Sequence, residues 1–164
     1  VQQVNGEFAE RFEGRNLDLI CILQPEPLLI RADSRRIWRV LENLYVNVCK
    51  YAMPGTRVYV DAIKKDGKIQ LSIKNISENP LNFQADELTE RFIRGDVSRS
   101  TEGSGLGLSI AKNLTVLQHG SFNIYLDGDL FKVTITFDEA VKEKKPMPPM
   151  IVPEAVQEEA QQDA

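Results

Sequence analysis

The sequence predicts an α+β fold, a two-layer α/β sandwich with a mixed sheet. Three observations lead there. Periodic segments run strand, strand, helix, hairpin, long loop, helix, hairpin, so helices separate pairs of strands rather than alternating with single ones. Two Asp-Gly dipeptides, Asp66-Gly67 and Asp127-Gly128, each stand between runs of alternating hydrophobicity, a strong hairpin signal. The length, 164 residues, suits a single domain, which at this size buries roughly 68–70% of its unfolded surface without staples.

Taken in order, residues 1–16 are polar, with Phe8 and Phe12 at helical spacing, and read as the remnant of an upstream linker or helix. Residues 17–23 are rich in Leu and Ile and read as a strand. Gln24-Pro25-Glu26-Pro27 breaks it, and residues 28–31 are expected to form a short partner strand. Asp33 is placed as a helix N-cap, with Ser34 opening the helix. Its core stripe is Ile37, Val40, Leu41, Leu44 and Val48, and Met53-Pro54-Gly55 ends it. Residues 57–64 and 68–75 alternate as strands, the first with Val58, Val60 and Ala62, the second with Ile69, Leu71 and Ile73.

A long irregular connection follows over about 76–104, with one helix-like segment at 86–93. Connections of that length inside a domain are usually functional. A second helix places Leu108, Ile110, Ala111, Leu114 and Leu117 on its apolar side, and His119-Gly120 closes it. Strands at 121–126 and 130–137 complete a domain spanning 17–138. Residues 139–164, with Pro146, Pro148, Pro149 and Pro153 among Glu, Gln and Ala, read as a flexible solvated tail.

Composition excludes several classes. With 20 basic against 24 acidic residues the net charge is −4, so a general nucleic-acid face is not expected. No apolar run approaches the roughly 18 residues of a membrane helix, and residues 1–10 carry no basic region followed by an apolar one. Cys21 and Cys49 are expected as buried free thiols in a reducing compartment. A single His rules out Cys/His metal spacing.

Three constellations carry candidate chemistry. Gly103, Gly105 and Gly107, with Ser104 and Leu106 between them, fall where a loop enters a helix. Glycines there let backbone approach an anion, and the helix start offers N–H groups and the positive dipole end. The spacing is neither a Walker A loop nor a dinucleotide fingerprint. On the first core helix, Asn43, Asn47 and Lys50 share one face beside the core stripe, with Tyr51 next to them. They form either a ligand pocket, with Asn47 offering oxygen to Mg²⁺ and Lys50 a charge to phosphate, or an Asn pair tying down backbone beside a solvated lysine. The third is Glu87 to Asp96, where Leu88 and Phe92 pack down while Arg91 and Arg94 alternate around them.

In this order the three motifs resemble the N box, F box and second glycine box of the ATP-binding catalytic domain of bacterial sensor histidine kinases. That family belongs to the group that includes DNA gyrase and the heat-shock chaperone ATPases (GHKL). The matching segments are Asn43-Leu44-Tyr45-Val46-Asn47-Val48-Cys49-Lys50-Tyr51, residues 88–94, and Gly103-Ser104-Gly105-Leu106-Gly107-Leu108-Ser109-Ile110-Ala111-Lys112. The resemblance covers about residues 17–137 and implies a Bergerat-type ATP-binding fold with the long connection as a lid over ATP. It implies that Asn47 coordinates Mg²⁺, that Lys50 holds a phosphate and that Tyr51 lies against adenine. Gly103, Ser104, Gly105, Leu106 and Gly107 would present backbone to the phosphates, and Arg94 would stabilise the transferring γ-phosphoryl group. Asn43 stands where ATP-hydrolysing relatives place Glu, and an amide has no useful basicity, which points to a kinase rather than an ATPase.

The family's first glycine box, Asp-x-Gly-x-Gly, is absent. Asn75-Ile76-Ser77-Glu78 stands in its place, so Asn75 is expected to accept the adenine amino hydrogen and to donate to the neighbouring ring nitrogen. Val48 replaces the usual Ala. The resemblance implies ATP and Mg²⁺ as cofactors. Its partners would be a dimerisation and phosphoacceptor domain, which carries the reacting His, and a response regulator. It further implies a cytoplasmic fragment of a membrane-bound homodimer, in which His119 is structural. A nucleotide-binding pseudokinase or regulatory module, and a serine/threonine kinase of the anti-sigma type, remain as alternatives.

Overall fold

A computed structural model of the chain describes residues 1–81 and 106–140. Helix α1 (Gln2–Gly14) precedes strand β1 (Asp18–Leu23), and helix α2 (Ser34–Tyr51) leads into β2 (Arg57–Lys65) and β3 (Lys68–Ile76). Helix α3 (Gly107–Val116) leads into β4 (Ser121–Asp127) and β5 (Leu130–Asp138). The five strands form one sheet in the order β1-β2-β3-β5-β4, with β1 parallel to β2 and every other pair antiparallel. The mixed α+β architecture read from the sequence is therefore the observed one. Parallel neighbours need a crossover, and α2 supplies it between β1 and β2.

Alternation fixes which face is covered. Cys21, Val60, Ile73, Val133 and Ile124 fall in one row across all five strands. Three of them, Val60, Ile73 and Val133, are buried. The opposite face is polar: Ser72 and Thr134 hydroxyls meet at 3.0 Å, and Lys74 Nζ lies 2.6 Å from Asp61. One packed face and one solvated face are what an antiparallel region tolerates.

Residues 1–16 contribute to the core through α1, which buries Val4, Phe8 and Phe12. The Phe12 ring stacks on Tyr45 of α2 at 5.6 Å and Phe8 meets it edge-on at 5.4 Å, while the Tyr45 hydroxyl donates to Asn5 Oδ1. Helix α1 ends with Asn16 at φ 53°, the Leu17 N–H bonding Phe12 O and the Asn16 N–H bonding Glu13 O, both at 2.8 Å. That pair of bonds is a Schellman motif. Helix α3 ends the same way: His119 takes φ 62°, Gly120 N–H bonds Thr115 O at 3.0 Å and His119 N–H bonds Val116 O at 2.9 Å. His119 thus terminates a helix.

Several expectations change. Residues 28–31 form no strand; they make one bridge, Ile30 to Glu139, and Ala140 N–H donates to Leu29 O at 2.8 Å. Pro25 and Pro27 just upstream fix φ and remove two donors, which blocks a ladder there. Cys21 is exposed and only Cys49 is buried, both as free thiols; β1 is an edge strand, so its core-facing residue has no neighbour on one side. Leu117 is 65% exposed because α3 ends at Val116, and Thr115 is buried instead. Its hydroxyl satisfies itself on Ala111 O at 2.8 Å. The first hairpin turns on Asp66 and Gly67, both at positive φ, as a type I′ turn demands. The second turns on Gly128 and Asp129, with positive φ only at Gly128, the pattern of a II′ turn. The helix-like segment 86–93 and the tail beyond 140 lie outside the described residues.

Two measurements check this packing. A β-carbon on Gly120 would stand 2.6 Å from the buried Phe137 ring and 2.9 Å from Thr115. Gly120→Ala is therefore expected to destabilise by about 1–3 kcal/mol, read as a lower denaturation midpoint. Burial raises the Cys49 thiol above its ordinary value, although Arg11 and Arg15 pull it back in part. Thiol labelling near pH 8 is expected to modify Cys21 quickly and Cys49 only on unfolding; equal rates would contradict the assigned burial.

Candidate functional site

The site is set by how α3 lies on α2. Asp33 caps α2, its Oδ1 accepting from Arg35 N–H at 2.9 Å and Arg36 N–H at 3.1 Å. The Asp33 N–H donates to Gln118 Oε1 at 2.8 Å, just beyond the end of α3. At the other end Gly107 sits against α2: a β-carbon there would lie 3.3 Å from Asn43 Oδ1 and 3.8 Å from Asn43 O. These two tie points run α3 antiparallel to α2. The start of α3 therefore lies beside Asn43, with Asn47 and Lys50 on the following turns of α2.

The start of α3 has no side-chain cap and no acidic residue in its first turn. Its first backbone bond runs from Ile110 N–H to Leu106 O at 2.9 Å, and the Ser109 hydroxyl adds a second to the same oxygen at 2.9 Å. Among the described residues nothing else takes the amides of the first turn, so these and the positive dipole end suit an anion, worth up to ~2 kcal/mol per charge when partly buried. Leu106 is exposed at this end.

The amides on α2 play different parts. Asn43 Nδ2 donates to Arg39 O at 2.7 Å, and its Oδ1 faces Gly107. Asn47 is half-buried, and its amide enters no hydrogen bond among the described residues. Lys50 Nζ lies 5.2 Å from the centre of the exposed Tyr51 ring. A cation fits the free Asn47 oxygen as a hard ligand. No group of three or more His, Cys, Asp or Glu side chains that could hold a metal ion occurs among the described residues.

The end of α2 is sewn to the end of β3. Glu78 N–H donates to Tyr51 O at 2.8 Å, Met53 N–H to Ile76 O at 2.9 Å, and Ala52 bridges Ser77. Asn75 sits at this corner, 3% exposed. Its Nδ2 donates to Ile76 O at 3.2 Å, and its Oδ1 is buried without a partner. Arg15 locks the corner from α1, its Nη2 donating to Ala52 O at 3.1 Å and to Glu78 Oε2 at 2.9 Å. The sequence reading passed over Arg15 and Glu78. They lie 63 residues apart, and neither stands in a motif, so no local signal marks them. Gly107 is brought against Asn43, Asn47 and Lys50 follow Asn43 along α2, and Tyr51 and Asn75 stand where the end of α2 meets the end of β3. Arg94, Gly103, Ser104 and Gly105 lie outside the described residues. A separate cavity of about 420 Å³ between α1 and β1, floored by Phe12, Leu17 and Leu19, shares none of these residues.

Residues 32–141 match the family described as histidine kinase-, DNA gyrase B-, and HSP90-like ATPase. The chain is 30% identical over 122 residues to the signal transduction histidine-protein kinase BaeS of Escherichia coli, covering 73% of this chain and 26% of that protein. It is 31% identical over 144 residues to the sensor histidine kinase WalK of Bacillus subtilis, covering 83% and 23% respectively. It thus spans about a quarter of the length of these relatives. In fold it matches the catalytic domain of the histidine kinase ThkA with a TM-score of 0.71 at 23% identity, covering 84% of this chain and 89% of that one. The mycobacterial sensor histidine kinase MprB matches with 0.67 at 24%, covering 84% and 93%.

The tie between Gly107 and Asn43 is measurable. Gly107→Ala is expected to cost roughly 1–3 kcal/mol, because Asn43 is held by its bond to Arg39 O and cannot swing aside freely. In a double-mutant cycle with Asn43→Ala much of that cost should vanish. Additive losses would mean that the two residues do not press on each other.

Proposed function

The chain belongs to the histidine kinase-, DNA gyrase B-, and HSP90-like ATPase family, and from that premise we propose that it binds Mg-ATP and passes the γ-phosphoryl group to a histidine on a separate dimerisation domain. One observation carries the reading: a helix start with no side-chain cap among the described residues is held against Asn43, with a buried, unpartnered amide oxygen on Asn75 where α2 meets β3. The first suits a polyphosphate and the second a base with an amino group. BaeS, WalK and other proteins of similar sequence are named as histidine kinases.

Each residue has a role in this reading. Backbone of Leu106 and Gly107, continued by Gly103, Ser104 and Gly105, receives phosphate oxygens, and Lys50 adds a positive charge. Tyr51 lies against the adenine and Asn75 reads its edge. Asn47 holds Mg²⁺ through Oδ1; the ion, when bound, offsets charge on the phosphates. Arg94 meets the transferring group. Asn43 cannot act as a general base, since its nitrogen is committed to Arg39 O and amides are not basic. That favours an imidazole acceptor over water. The imidazole nitrogen attacks the γ-phosphorus, the bond to the β–γ bridging oxygen breaks, and ADP leaves.

The whole protein, in this reading, is a membrane-bound homodimeric sensor with a response regulator as its downstream partner. No helix among the described residues is long and apolar enough to cross a membrane. The isolated chain is expected to bind Mg-ATP by calorimetry, and Asn47→Ala to weaken binding at least about tenfold. With γ-labelled ATP and a phosphoacceptor hairpin in trans, label should appear on the hairpin and be lost in acid. Binding unchanged by Asn47→Ala overturns the site. Acid-stable label overturns histidine as acceptor, and no label despite binding favours a regulatory module.

A further inference from the structure

We infer that the free edge of β1 takes a sixth, antiparallel strand from this chain's own C-terminal segment, with Met150 paired to Cys21 and Val152 to Leu19. The inference is independent of the nucleotide reading above. It gives a place to three residues of a segment whose composition otherwise reads as solvated.

The edge is open to a strand. Among the described residues β1 has β2 on one side and no neighbour on the other. In a parallel ladder alternate residues bond the neighbour, and the rest turn N–H and C=O outward. Asp18 N–H bonds Thr56 O at 3.1 Å and Gln24 N–H bonds Ala62 O at 3.3 Å, which gives the even positions to β2. Leu19, Cys21 and Leu23 therefore present their main-chain groups to the open side. Leu19-Ile20-Cys21-Ile22-Leu23 holds no charged residue and no proline, the usual protections of a bare edge. Cys21 is exposed, and Ile22 is 56% exposed.

The chain is aimed at that edge. Glu139 bridges Ile30 in antiparallel sense and Ala140 N–H bonds Leu29 O, so the backbone leaves Ala140 heading back along 29 and 28 toward the end of β1. Leu29 and Cys21 are eight positions apart, at most about 29 Å, while the ten steps from Ala140 to Met150 reach about 33 Å. The segment there reads Pro148-Pro149-Met150-Ile151-Val152-Pro153. With Met150 and Val152 turned to β1, Pro149 and Pro153 fall on the outward side, where no ladder N–H is needed and proline guards the new edge. Pairing Met150 with Cys21 sets Val152 against Leu19, in the row of buried Val58 and beside the cavity floored by Phe12, Leu17 and Leu19. A shift of two residues one way would set Glu154 against Leu19. The opposite shift would set Pro148, which has no N–H, against Cys21. A second copy of the chain fits the edge less well. Six residues are few against the roughly 1,200 Å² that separate chains bury in a stable complex. A tethered segment meets the edge at an effective concentration on the order of mM.

Cysteine pairing in the full chain tests this. Opposed residues of a hydrogen-bonded antiparallel pair stand about 5.5 Å apart at Cα, within disulfide reach. Under a mild thiol oxidant, Met150→Cys is expected to join Cys21 within one chain at least about tenfold faster than Gln161→Cys does, with the linked peptides identified by mass spectrometry. Adding Val152→Pro removes a ladder N–H and is expected to abolish that advantage; adding Ile151→Pro, where the N–H points outward, is expected to keep it. So short a strand releases readily, so Cys21 still labels well ahead of Cys49. Equal rates for Met150→Cys and Gln161→Cys overturn the inference. An advantage that survives Val152→Pro, or is lost in Ile151→Pro, also overturns it. A Cys21 to Cys21 bond between two copies would do the same and assign the edge to a second chain. None of these outcomes bears on nucleotide binding.

Discussion

The antiparallel docking of α3 on α2 is the constraint on which the site depends. It is held at one end by the Asp33 N–H on Gln118 and at the other by the close fit of Gly107 to Asn43. Sliding α3 by one turn, about 5.4 Å, would break both ties and carry its first amides away from Asn43. The same docking buries Leu108 and Ala111 with Val40, Leu41 and Leu44 in one cluster over the sheet. Core packing and site geometry are therefore a single arrangement.

A second seam serves the other end of the site. The last turn of α2 and the last residues of β3 exchange backbone bonds through Tyr51, Met53, Ile76 and Glu78. Arg15 closes it from α1. The exposed ion pair with Glu78 alone is worth little in water. Its bond to Ala52 O matters more, because a charged donor there satisfies a carbonyl at the helix end. Asn75 is held beside this seam by its Nδ2 bond to Ile76 O, which also accepts Met53 N–H.

Much of this was legible in the sequence. Alternation in the 57–64 and 68–75 segments, the two Asp-Gly dipeptides and the three-to-four stripe of α2 report burial on one face, which is a local property. So is the capping role of Asp33. That the Asn43 and Gly107 motifs meet was legible only through their resemblance to a known family, since nothing local says that two residues 64 positions apart will touch, and the antiparallel docking that brings them together was not read from the sequence. Register shifts at the edges were not legible. The exposed Cys21 depends on β1 having no outer neighbour among the described residues. The direction of the Asn75 amide depends on Ile76 O, which no side-chain pattern records.

The pairing of β3 with β5 joins residues such as Ser72 and Thr134, 62 positions apart. The centre of the sheet is therefore a non-local contact, and closing that interval is a slow, entropically costly event in folding. The cost grows only with the logarithm of the interval, each doubling adding about 0.6 kcal/mol. Past the seam residues Ser77 and Glu78, a change in the number of residues before α3 thus adds little to that closure cost.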